Sequence, residues 1–479
     1  MAEISIPGVS DKYKTNDLVK SLMEVERIPL NREQASLDNY KTQQEAWRRV
    51  NQNMTALRDS ARSLYSYDNP FVNKTASSTE EGSVTAVPGR GAANESFKID
   101  VIALAEADRF LSGELEKNSA VPEGAYTFSV GEKSITLNWK GGKLADFAGA
   151  LNRRGAGLVK AALIGVSGAK QSLMIESLKT GAENGLSFKD AAQDFAQTIA
   201  MNPVSTARDA EFKYEGIAIT RPVNTIDDVI PDVTLTLHGT TGKTAVVTIG
   251  PETQGAKDTL ITFVGRYNQT IAEINILTQN KGEIISELEY LSEDERAEAA
   301  KRLGMFQGDS TLSTAKSSFQ NIVTGRYAPD EAALVTMLAQ IGISSRAAPG
   351  SAYTSASLRG YLEIDEKKLD EALKNNLGDI KNLFGYDSDG DRIIDSGLAY
   401  GLDQRLQAYT RSNGIISIKT SGIESSIGSA ETKIKRLEEQ LANRERQLKR
   451  QYGQMESTLN SLQGQADRIT NFAAQRQRE

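Results

Sequence analysis

Residues 433–472 read KIKRLEEQLANRERQLKRQYGQMESTLNSLQGQADRITNF, and this proline-free stretch decides the fold. Its apolar residues recur at steps of three, four or seven, which is the spacing of a narrow seam along one helix. The other faces are charged and amide-rich, so a helix predicted over 421–472 needs a partner helix to bury its seam. The seam residues are Ile434, Leu437, Leu441, Leu448, Tyr452, Met455, Leu459, Leu462, Ala466, Ile469 and Ala473.

The opposite end of the chain carries a similar pattern. Leu18, Leu22 and Val25 start an apolar stripe within a helix predicted over 16–65. Pro29 has no N–H and its ring clashes with the preceding turn, so it predicts a break or kink in this helix. Beyond Pro29 the stripe continues through Leu37, Tyr40, Trp47, Val50, Met54, Leu57, Ala61 and Leu64.

The simplest way to bury both seams is to pair the two ends of the chain. A four-residue phase slip near Arg444 indicates a stutter, and together with Pro29 it predicts a contact that can re-form rather than a rigid rod. A stripe of this kind is typical of an intramolecular bundle and also of an oligomer interface, and both remain open. The predicted coiled-coil and self-assembly residues are Leu18, Leu22, Val25, Leu437, Leu441, Leu448, Met455, Leu459, Leu462 and Ile469.

Between the two ends the spacing of apolar residues changes from a helical pattern to the alternation of extended strands. Apolar residues alternate with polar ones, which predicts half-buried strands of antiparallel sheets. The strands are predicted at 97–101, 126–130, 135–139, 233–237 and 247–249, with one helix at 143–152. Helical spacing returns near residue 258, and helices are predicted at 292–302, 310–323 and 365–375, with Ser292 as an N-cap and a short strand at 361–364.

We therefore predict an α+β multidomain protein, with terminal coiled-coil-like helices, a helical bundle domain and inserted antiparallel β-rich domains. The N-terminal stalk helix, 1–45, is predicted to pair with 430–479. The predicted bundle combines 46–74 with 258–429. One β-rich domain is predicted from 75–97 with 200–257, and a second from 98–199.

The composition excludes several classes of function. The chain of 479 residues has no cysteine and only one histidine, His238, so thiol chemistry, disulfides and multi-histidine metal sites are excluded. A formal net charge of −7 argues against nucleic acid as a partner. No segment is apolar enough for membrane insertion, and residues 1–14 do not resemble a signal peptide. We predict no enzymatic activity and no cofactor.

Two local motifs suggest ligand sites. Residues 239–244, GTTGKT, end like a phosphate-binding loop, but the required first glycine is replaced by Leu237, so a hairpin turn is predicted. The acidic run from Asp387 to Asp395 places carboxylates at positions 1, 3, 5 and 9 of a loop, as in calcium sites. Arg392 stands at position 6 and Leu398 at position 12, where such a loop needs glycine and a bidentate acid. A solvated acidic turn is therefore favoured over calcium binding.

Several blocks resemble the flagellar filament cap proteins, the hook-associated protein 2 family. The first is 18–26, LVKSLMEVE, followed by Pro29–Leu30. The segment 124–185 resembles the hook-type β motif of that family. Further matches, in the same order as in the family, are ARDA at 207–210, NTIDDVIP at 224–231, VTL at 233–235, FVGRYN at 263–268, IGI at 341–343, LEID at 362–365 and LFG at 383–385.

This resemblance implies a protein of the flagellar tip. Family members form a ring-like homo-oligomer, with a pentamer among the options, beneath which flagellin is inserted into the growing filament. The resemblance also implies contacts with hook–filament junction proteins, and secretion through the flagellar type III export apparatus with an export chaperone. The chain would act outside the cell, or in the periplasm if it comes from a spirochaete, which Ile6–Val9 suggests.

Two other functions remain open at this stage. Thr-rich β domains are common in adhesins, so residues 75–253 could mediate cell adhesion by binding host glycans. A second option is another axial protein of the hook or filament. The blocks at 18–30 and 362–384 favour the cap.

Overall fold

The computed structural model describes residues 15–190, 195–328, 333–345 and 359–476. The predictions for residues 1–14 lie outside these ranges. The described chain divides into two compact units. A helical unit combines the residues up to Tyr67 with those from Lys257 onward, and a β-rich unit contains Asp68–Ala256.

Twelve α-helices are described, numbered in chain order. They are α1 (Thr15–Glu26), α2 (Ile28–Ser63), α3 (Leu144–Arg154), α4 (Phe195–Thr198), α5 (Thr253–Thr278), α6 (Glu283–Ser286), α7 (Glu293–Arg302), α8 (Ser310–Thr324), α9 (Glu366–Asn375), α10 (Leu377–Phe384), α11 (Leu398–Thr410) and α12 (Ile415–Arg476).

Twenty strands are described, and every named strand pair is antiparallel. They are β1 (Lys74–Ser78), β2 (Val84–Pro88), β3 (Ser96–Ala103), β4 (Arg109–Leu111), β5 (Leu115–Glu116), β6 (Ala120–Val121), β7 (Gly124–Val130), β8 (Lys133–Trp139), β9 (Gly142–Lys143), β10 (Val159–Gly165), β11 (Lys170–Ser177), β12 (Leu186–Asp190), β13 (Asn202–Ser205), β14 (Ala210–Tyr214), β15 (Ile217–Arg221), β16 (Thr225–Ile230), β17 (Val233–Leu237), β18 (Ala245–Pro251), β19 (Ile343–Ser344) and β20 (Glu363–Ile364). The predicted α+β class is confirmed.

The core of the helical unit is built on α2. Its apolar stripe is buried from Trp47 to Ala61, as the spacing predicts, and the helix packs along α11 and α12. Trp47 is 2% exposed, lies 5.0 Å from the ring of Phe306 and is covered by the ammonium of Lys419 at 5.7 Å. Trp47 therefore fills the seam between helices, as predicted.

Helices α10 and α11 were not predicted individually, and α11 carries a buried charge. Asp403 is 2% exposed and accepts a hydrogen bond from the Tyr65 hydroxyl at 2.5 Å. The guanidinium groups of Arg58 and Arg62 lie 3.8 and 3.6 Å from this carboxylate. The pKa of Tyr65 is raised to about 12. Burial of the hydroxyl is the larger cause, and its hydrogen bond to the Asp403 carboxylate is the second. Leu402 and Leu406 are also buried on α11.

Two helix starts are set by their caps. Ser292 accepts from the N–H of Glu295 while the Glu295 carboxylate accepts from the N–H of Ser292, so the predicted N-cap is a complete capping box. Asp309 caps α8 by accepting from the N–H groups of Thr311 and Leu312 at 2.8 and 3.1 Å. Its carboxylate also lies 2.9 Å from the ammonium of Lys419, which ties α8 to α12.

The β-rich unit contains two separate hydrophobic clusters. The first lies between a five-stranded sheet, in the order β1-β18-β3-β14-β15, and a three-stranded sheet, β16-β17-β2. It includes Phe97, Ile99, Val101 and Ala105. The predicted border between residues 97 and 98 falls within β3, from which Phe97, Ile99 and Val101 face this cluster.

The second cluster contains the predicted helix α3 and the strands around it. A three-stranded sheet, β12-β7-β8, and a larger sheet, β10-β11-β4-β13 with β5 on β11, enclose Tyr126, Phe147 and Leu173. Strand β13 (Asn202–Ser205) pairs with β4 in this sheet, whereas the prediction placed 200–257 in the first β-rich domain. Asp108, 8% exposed, accepts from the backbone N–H groups of Leu186 and Ala207 at this junction.

Three asparagines each bind one residue's backbone through both ends of the side-chain amide. Asn152 contacts the N–H and C=O of Ala161, and Asn224 does the same with Ala105. Asn268 on α5 accepts from the N–H of Leu362 and donates to its C=O, both at 2.8 Å. A side-chain amide thus replaces a neighbouring strand at points where the chain has none.

Gly342 fixes the turn that brings β19 to β20. Its φ is +85°, and a Cβ there would lie 2.8 Å from the carbonyl oxygen of Asp365. The Gly342 carbonyl accepts from the Asp365 N–H at 2.8 Å, and Ile343 pairs with Ile364. A side chain at this position would be excluded by both the backbone conformation and the close approach.

The Asn268 clamp predicts a stability loss that urea unfolding can measure. Asn268→Ala leaves the buried N–H and C=O of Leu362 without this partner, so we expect a loss of about 1–3 kcal/mol. Asn268→Asp keeps the acceptor but loses the donor and is also expected to be destabilising. Asn321→Ala, at an exposed position on α8, is the control. Equal urea midpoints for Asn268→Ala and wild type would contradict this role.

The Asp309 cap predicts an acid dependence. Burial acts to raise the pKa of Asp309, but hydrogen bonds from Lys419 and from the Leu312 N–H outweigh it, so the pKa lies below its ordinary value of 3.8. Its contribution to stability is therefore complete above pH 3.8 and is lost as the pH falls through the lower folded-state pKa.

Asp309→Asn keeps a good N-cap but cannot titrate. We expect its unfolding free energy to fall less than that of wild type as the pH drops from about 4 to about 2. Asp467→Asn, at an exposed position on α12, controls for the loss of one negative charge. Parallel curves for Asp309→Asn and wild type would show that the cap does not carry this dependence.

Candidate self-assembly surface on the terminal helices

The kink predicted at Pro29 separates α1 from α2. Helix α1 ends at Glu26, Arg27 stands between the helices with φ −79° and ψ −13°, and Pro29 lies in the first turn of α2. The N–H of Arg27 still bonds to the carbonyl of Met23, and Asn31 bonds to Arg27, both at 3.0 Å. The interruption is therefore short, and its position follows from the N–H that proline lacks.

Helix α1 contacts α12 through a face next to the predicted stripe. Val19 and Met23 are buried at 3% and 4% exposure against Leu448, with Leu441 and Tyr452 packed around them. Val19 and Met23 pack against Leu448, whereas Glu26, later in α1, lies 3.3 Å from Arg444, which precedes Leu448 in α12. The two helices therefore run antiparallel.

The predicted stripe of α1 does not form this seam. Leu18, Leu22 and Val25 are 46%, 37% and 65% exposed. The helix has two adjacent apolar faces, and spacing alone did not distinguish them. Val19 and Met23, an i,i+4 apolar pair one residue further along, were the signal that the prediction missed.

The predicted stripe of α12 is buried only in its middle. Leu448 is buried, and Leu437 and Leu441 are half-buried. Beyond them four predicted residues are exposed: Met455 at 49%, Leu459 at 40%, Leu462 at 55% and Ile469 at 71%. Within the described residues this part of α12 is therefore an apolar face without a covering helix.

Charged side chains fix the register between α2 and α12. Glu33 lies 2.7 Å from Lys433, and Gln44 donates to Glu424 at 3.1 Å. Lys41 and Glu431 lie 3.9 Å apart. These side chains are half-buried or exposed, and each pair contributes up to about 1 kcal/mol, so the pairs select the register more than they hold the helices together.

A groove of about 960 Å³ lies where the α1–α2 kink faces α12. Pro29 and Glu26 form one wall, and Leu437 and Leu441 provide apolar surface. The rest of the lining is polar or basic: Gln440, Asn443, Arg444, Arg446, Gln447 and Arg450.

The other predicted ligand motifs lie away from these helices in sequence. Residues 239–244 connect β17 to β18 and precede no helix, so the phosphate-loop geometry is absent from this described segment. His238 is exposed and its Nε2 lies 2.9 Å from the Thr85 hydroxyl.

The acidic loop is a compact turn. Carboxylate oxygens of Asp387, Asp389 and Asp395 come within 4.8 Å of one another. Asp387 accepts from the N–H groups of Gly390 and Arg392, and Asp395 accepts from Ser388. Hydrogen bonds within the loop thus account for its shape, and calcium binding stays a hypothesis.

None of the described helices combines the length and the hydropathy that crossing a membrane requires.

The α1 seam predicts different effects for a buried and an exposed residue of the same helix. Met23→Ala removes a buried contact, so we expect α1 to lose hydrogen-exchange protection by about tenfold or more, equivalent to at least about 1.4 kcal/mol. Leu18→Ala removes an exposed side chain and should leave the protection of α1 in the monomer unchanged. Similar losses in both variants would place the stripe in the intramolecular seam after all.

Comparison with known proteins supports the resemblance seen in the sequence. The family model described as flagellar hook-associated protein 2 C-terminus matches residues 207–464, and the model for its N-terminus matches 11–108. A flagellar hook-associated protein 2 from Treponema maltophilum is 41% identical, covering 91% of this chain and 94% of that protein. One from Treponema pallidum is 27% identical over 98% and 99% of the two chains.

A solved structure shares the fold. The crystal structure of the D1-D2-D3 domains of the flagellar cap protein FliD from Escherichia coli superposes with a TM-score of 0.54 at 23% identity. It covers 79% of this chain and 99% of the crystallised one. The matches together span both ends and the middle of the sequence, and the chain belongs to the flagellar hook-associated protein 2 family, the filament cap proteins of the bacterial flagellum.

Proposed function

We propose that this chain sits at the distal tip of the flagellar filament and promotes the ordered insertion of exported flagellin. The observation that carries this proposal is the 41% identity to a flagellar hook-associated protein 2 along 91% of the chain. A role in assembly also agrees with the absence of cysteine and the single histidine, which leave few side chains for acid–base or nucleophilic catalysis.

We infer that the terminal helices mediate self-association into a ring-like cap. Their predicted self-assembly residues include seven that are exposed: Leu18, Leu22, Val25, Met455, Leu459, Leu462 and Ile469. Exposed apolar stripes on helices are favoured contact surfaces, because burying each such side chain contributes up to about 1.5–3 kcal/mol. A pentamer is one ring that these surfaces could build.

The further partners follow from the family and form part of the same proposal. They are flagellin, the hook–filament junction proteins, the flagellar type III export apparatus and an export chaperone. Export would place the protein outside the cytoplasm. The relatives from two Treponema species support a periplasmic flagellum as its location.

Deleting the gene in the bacterium that carries it tests the cap function. We expect short or absent filaments and unpolymerised flagellin, because exported subunits would leave without being inserted. Electron microscopy and immunoblotting measure the two outcomes, and re-expression of the wild-type chain is the control. Filaments of normal length in the deletion strain would overturn the proposal.

A paired substitution tests self-association. Leu462→Ser with Ile469→Ser removes two exposed apolar side chains from α12, so we expect association to weaken about tenfold to a hundredfold, or roughly 1.4–2.7 kcal/mol. Sedimentation velocity over a concentration series measures this. Ser461→Ala with Gln465→Ala, at exposed positions beside the stripe, should leave the association unchanged. If the double serine variant associates as strongly as the double alanine control, the face formed by Leu462 and Ile469 is not the self-association surface.

A further inference from the structure

We propose that residues 289–303, with helix α7 at their centre, form a strap that opens away from α5 as one segment while both of its ends stay in place. A buried ion pair between Glu273 and Arg302 closes the strap and makes its closure sensitive to pH. Opening would expose to solvent the polar cavity behind the helix. The change lies within one chain, so it does not depend on self-association.

The centre of the strap has little apolar contact with the rest of the helical unit. Seven of the ten residues of α7 are exposed, and its buried residues are Ala299 and Arg302. An alanine side chain removes only one methyl group from water, so burial of Ala299 stabilises the closed position weakly. A segment held in this way opens locally at a lower free energy than the core.

Both ends of the strap are fixed more firmly. Before it, Ile284 and Leu288 are buried. After it, the N–H of Phe306 donates to the carbonyl of Leu277 on α5 at 2.7 Å, and the Phe306 ring lies 5.0 Å from the ring of Trp47. Opening is therefore confined to the residues between these two anchors.

A polar cavity separates the strap from the two helices behind it. Its volume is about 210 Å³, which is enough for several water molecules. Helix α2 lines it with Arg49 and Asn53, and α5 lines it with Gln269 and Glu273. Because these groups are polar and water can hydrate them, separating α7 from this wall costs less than separating two packed apolar faces.

The ion pair between Glu273 and Arg302 joins α7 to α5 beside this cavity. Both residues are 6% exposed, and the two hydrogen bonds between their side chains are each 3.3 Å long. Such charge-assisted bonds are about 2.7–2.9 Å long when they are strong. Burial removes both charges from water, and an attraction of this geometry does little more than offset that loss. The pair thus holds α7 in position with a small net gain.

The carboxylate of Glu273 is the group that responds to pH. Burial raises its pKa above the ordinary value of 4.5, although Arg302 and Arg49 both act to lower it. Glu295 and Tyr290 line the same cavity. The phenol of Tyr290 is neutral below about pH 10, and both arginines keep their charge throughout the range considered.

The sign of the pH effect follows from this direction. In the open strap Glu273 is hydrated, so its pKa returns toward 4.5. The closed strap therefore binds this proton more tightly than the open one. The stabilisation of closure by Glu273 is complete below pH 4.5 and is lost as the pH rises through the closed-state pKa. We expect the strap to open more readily at neutral pH than in mild acid.

Native-state hydrogen exchange of the full chain, read by mass spectrometry, tests the local opening. At neutral pH we expect the amides of α7 to be protected at least about tenfold less than those of α5, with little effect of low urea concentrations, because local opening exposes little surface. The same protection and urea dependence in α7 and α5 would overturn the proposal. So would a protection that decreases steadily toward one end of α7, since that is fraying.

The pH profile tests the role of the ion pair. After correction for intrinsic exchange rates, the protection of α7 relative to α5 should fall as the pH rises from about 4.5 to about 8. Arg302→Met leaves the buried carboxylate without its cation, which raises its pKa further, so this variant should lose more protection over the same range. Combining Glu273→Met with Arg302→Met removes both charges. Its profile should be flat, with protection at pH 8 no lower than in wild type.

Glu298→Gln is the matched control on the same helix. Glu298 is exposed, and a hydrogen bond from Lys301 keeps its pKa below the ordinary value. Its loss should therefore leave the profile above pH 4.5 unchanged. A flat wild-type profile, or a slope that persists in the double methionine variant, would overturn the role of Glu273. Neither result bears on the cap function, which the gene deletion decides.

Discussion

The antiparallel pairing of α2 with α12 is the contact on which the helical unit depends. Each helix has a narrow apolar seam and charged flanks, so neither can bury its seam alone. Pairing joins positions far apart in the chain, as in the contacts of Glu33 with Lys433 and of Gln44 with Glu424. Because both ends are held in one unit, the chain must leave it after Tyr67 and return at Lys257, so the β-rich segment is an insertion.

The kink before Pro29 limits how far this pairing extends. Helix α1 buries only Val19 and Met23 against α12, whereas α2 is packed along much of its length from Trp47 onward. Segments with few buried apolar contacts open locally more easily than densely packed ones, and such a segment would suit a contact that re-forms during filament growth. Beside Pro29, Leu437 and Leu441 remain half-buried.

Several residues in the blocks that resemble the family have structural roles. Asn152, Asn224 and Asn268 each hold a backbone N–H and C=O with one amide, and Gly342 permits a turn that a side chain would block. These residues maintain junctions where a helix meets a strand or where strands change partners. Loss of one of these side chains would leave a buried backbone group unsatisfied, which is costly.

The sequence alone indicated the α+β class, the break near Pro29, the N-cap at Ser292 and the pairing of the two ends. Local periodicity and caps encode these features directly. It did not determine which apolar face of α1 is buried, because faces one residue apart look alike until the partner helix is placed. It also missed the packing of all of β3 beside the first cluster and the burial of Asp403, since both depend on contacts between segments distant in sequence. Only the tertiary structure therefore separated the seam at Val19 and Met23 from the exposed stripe beside it.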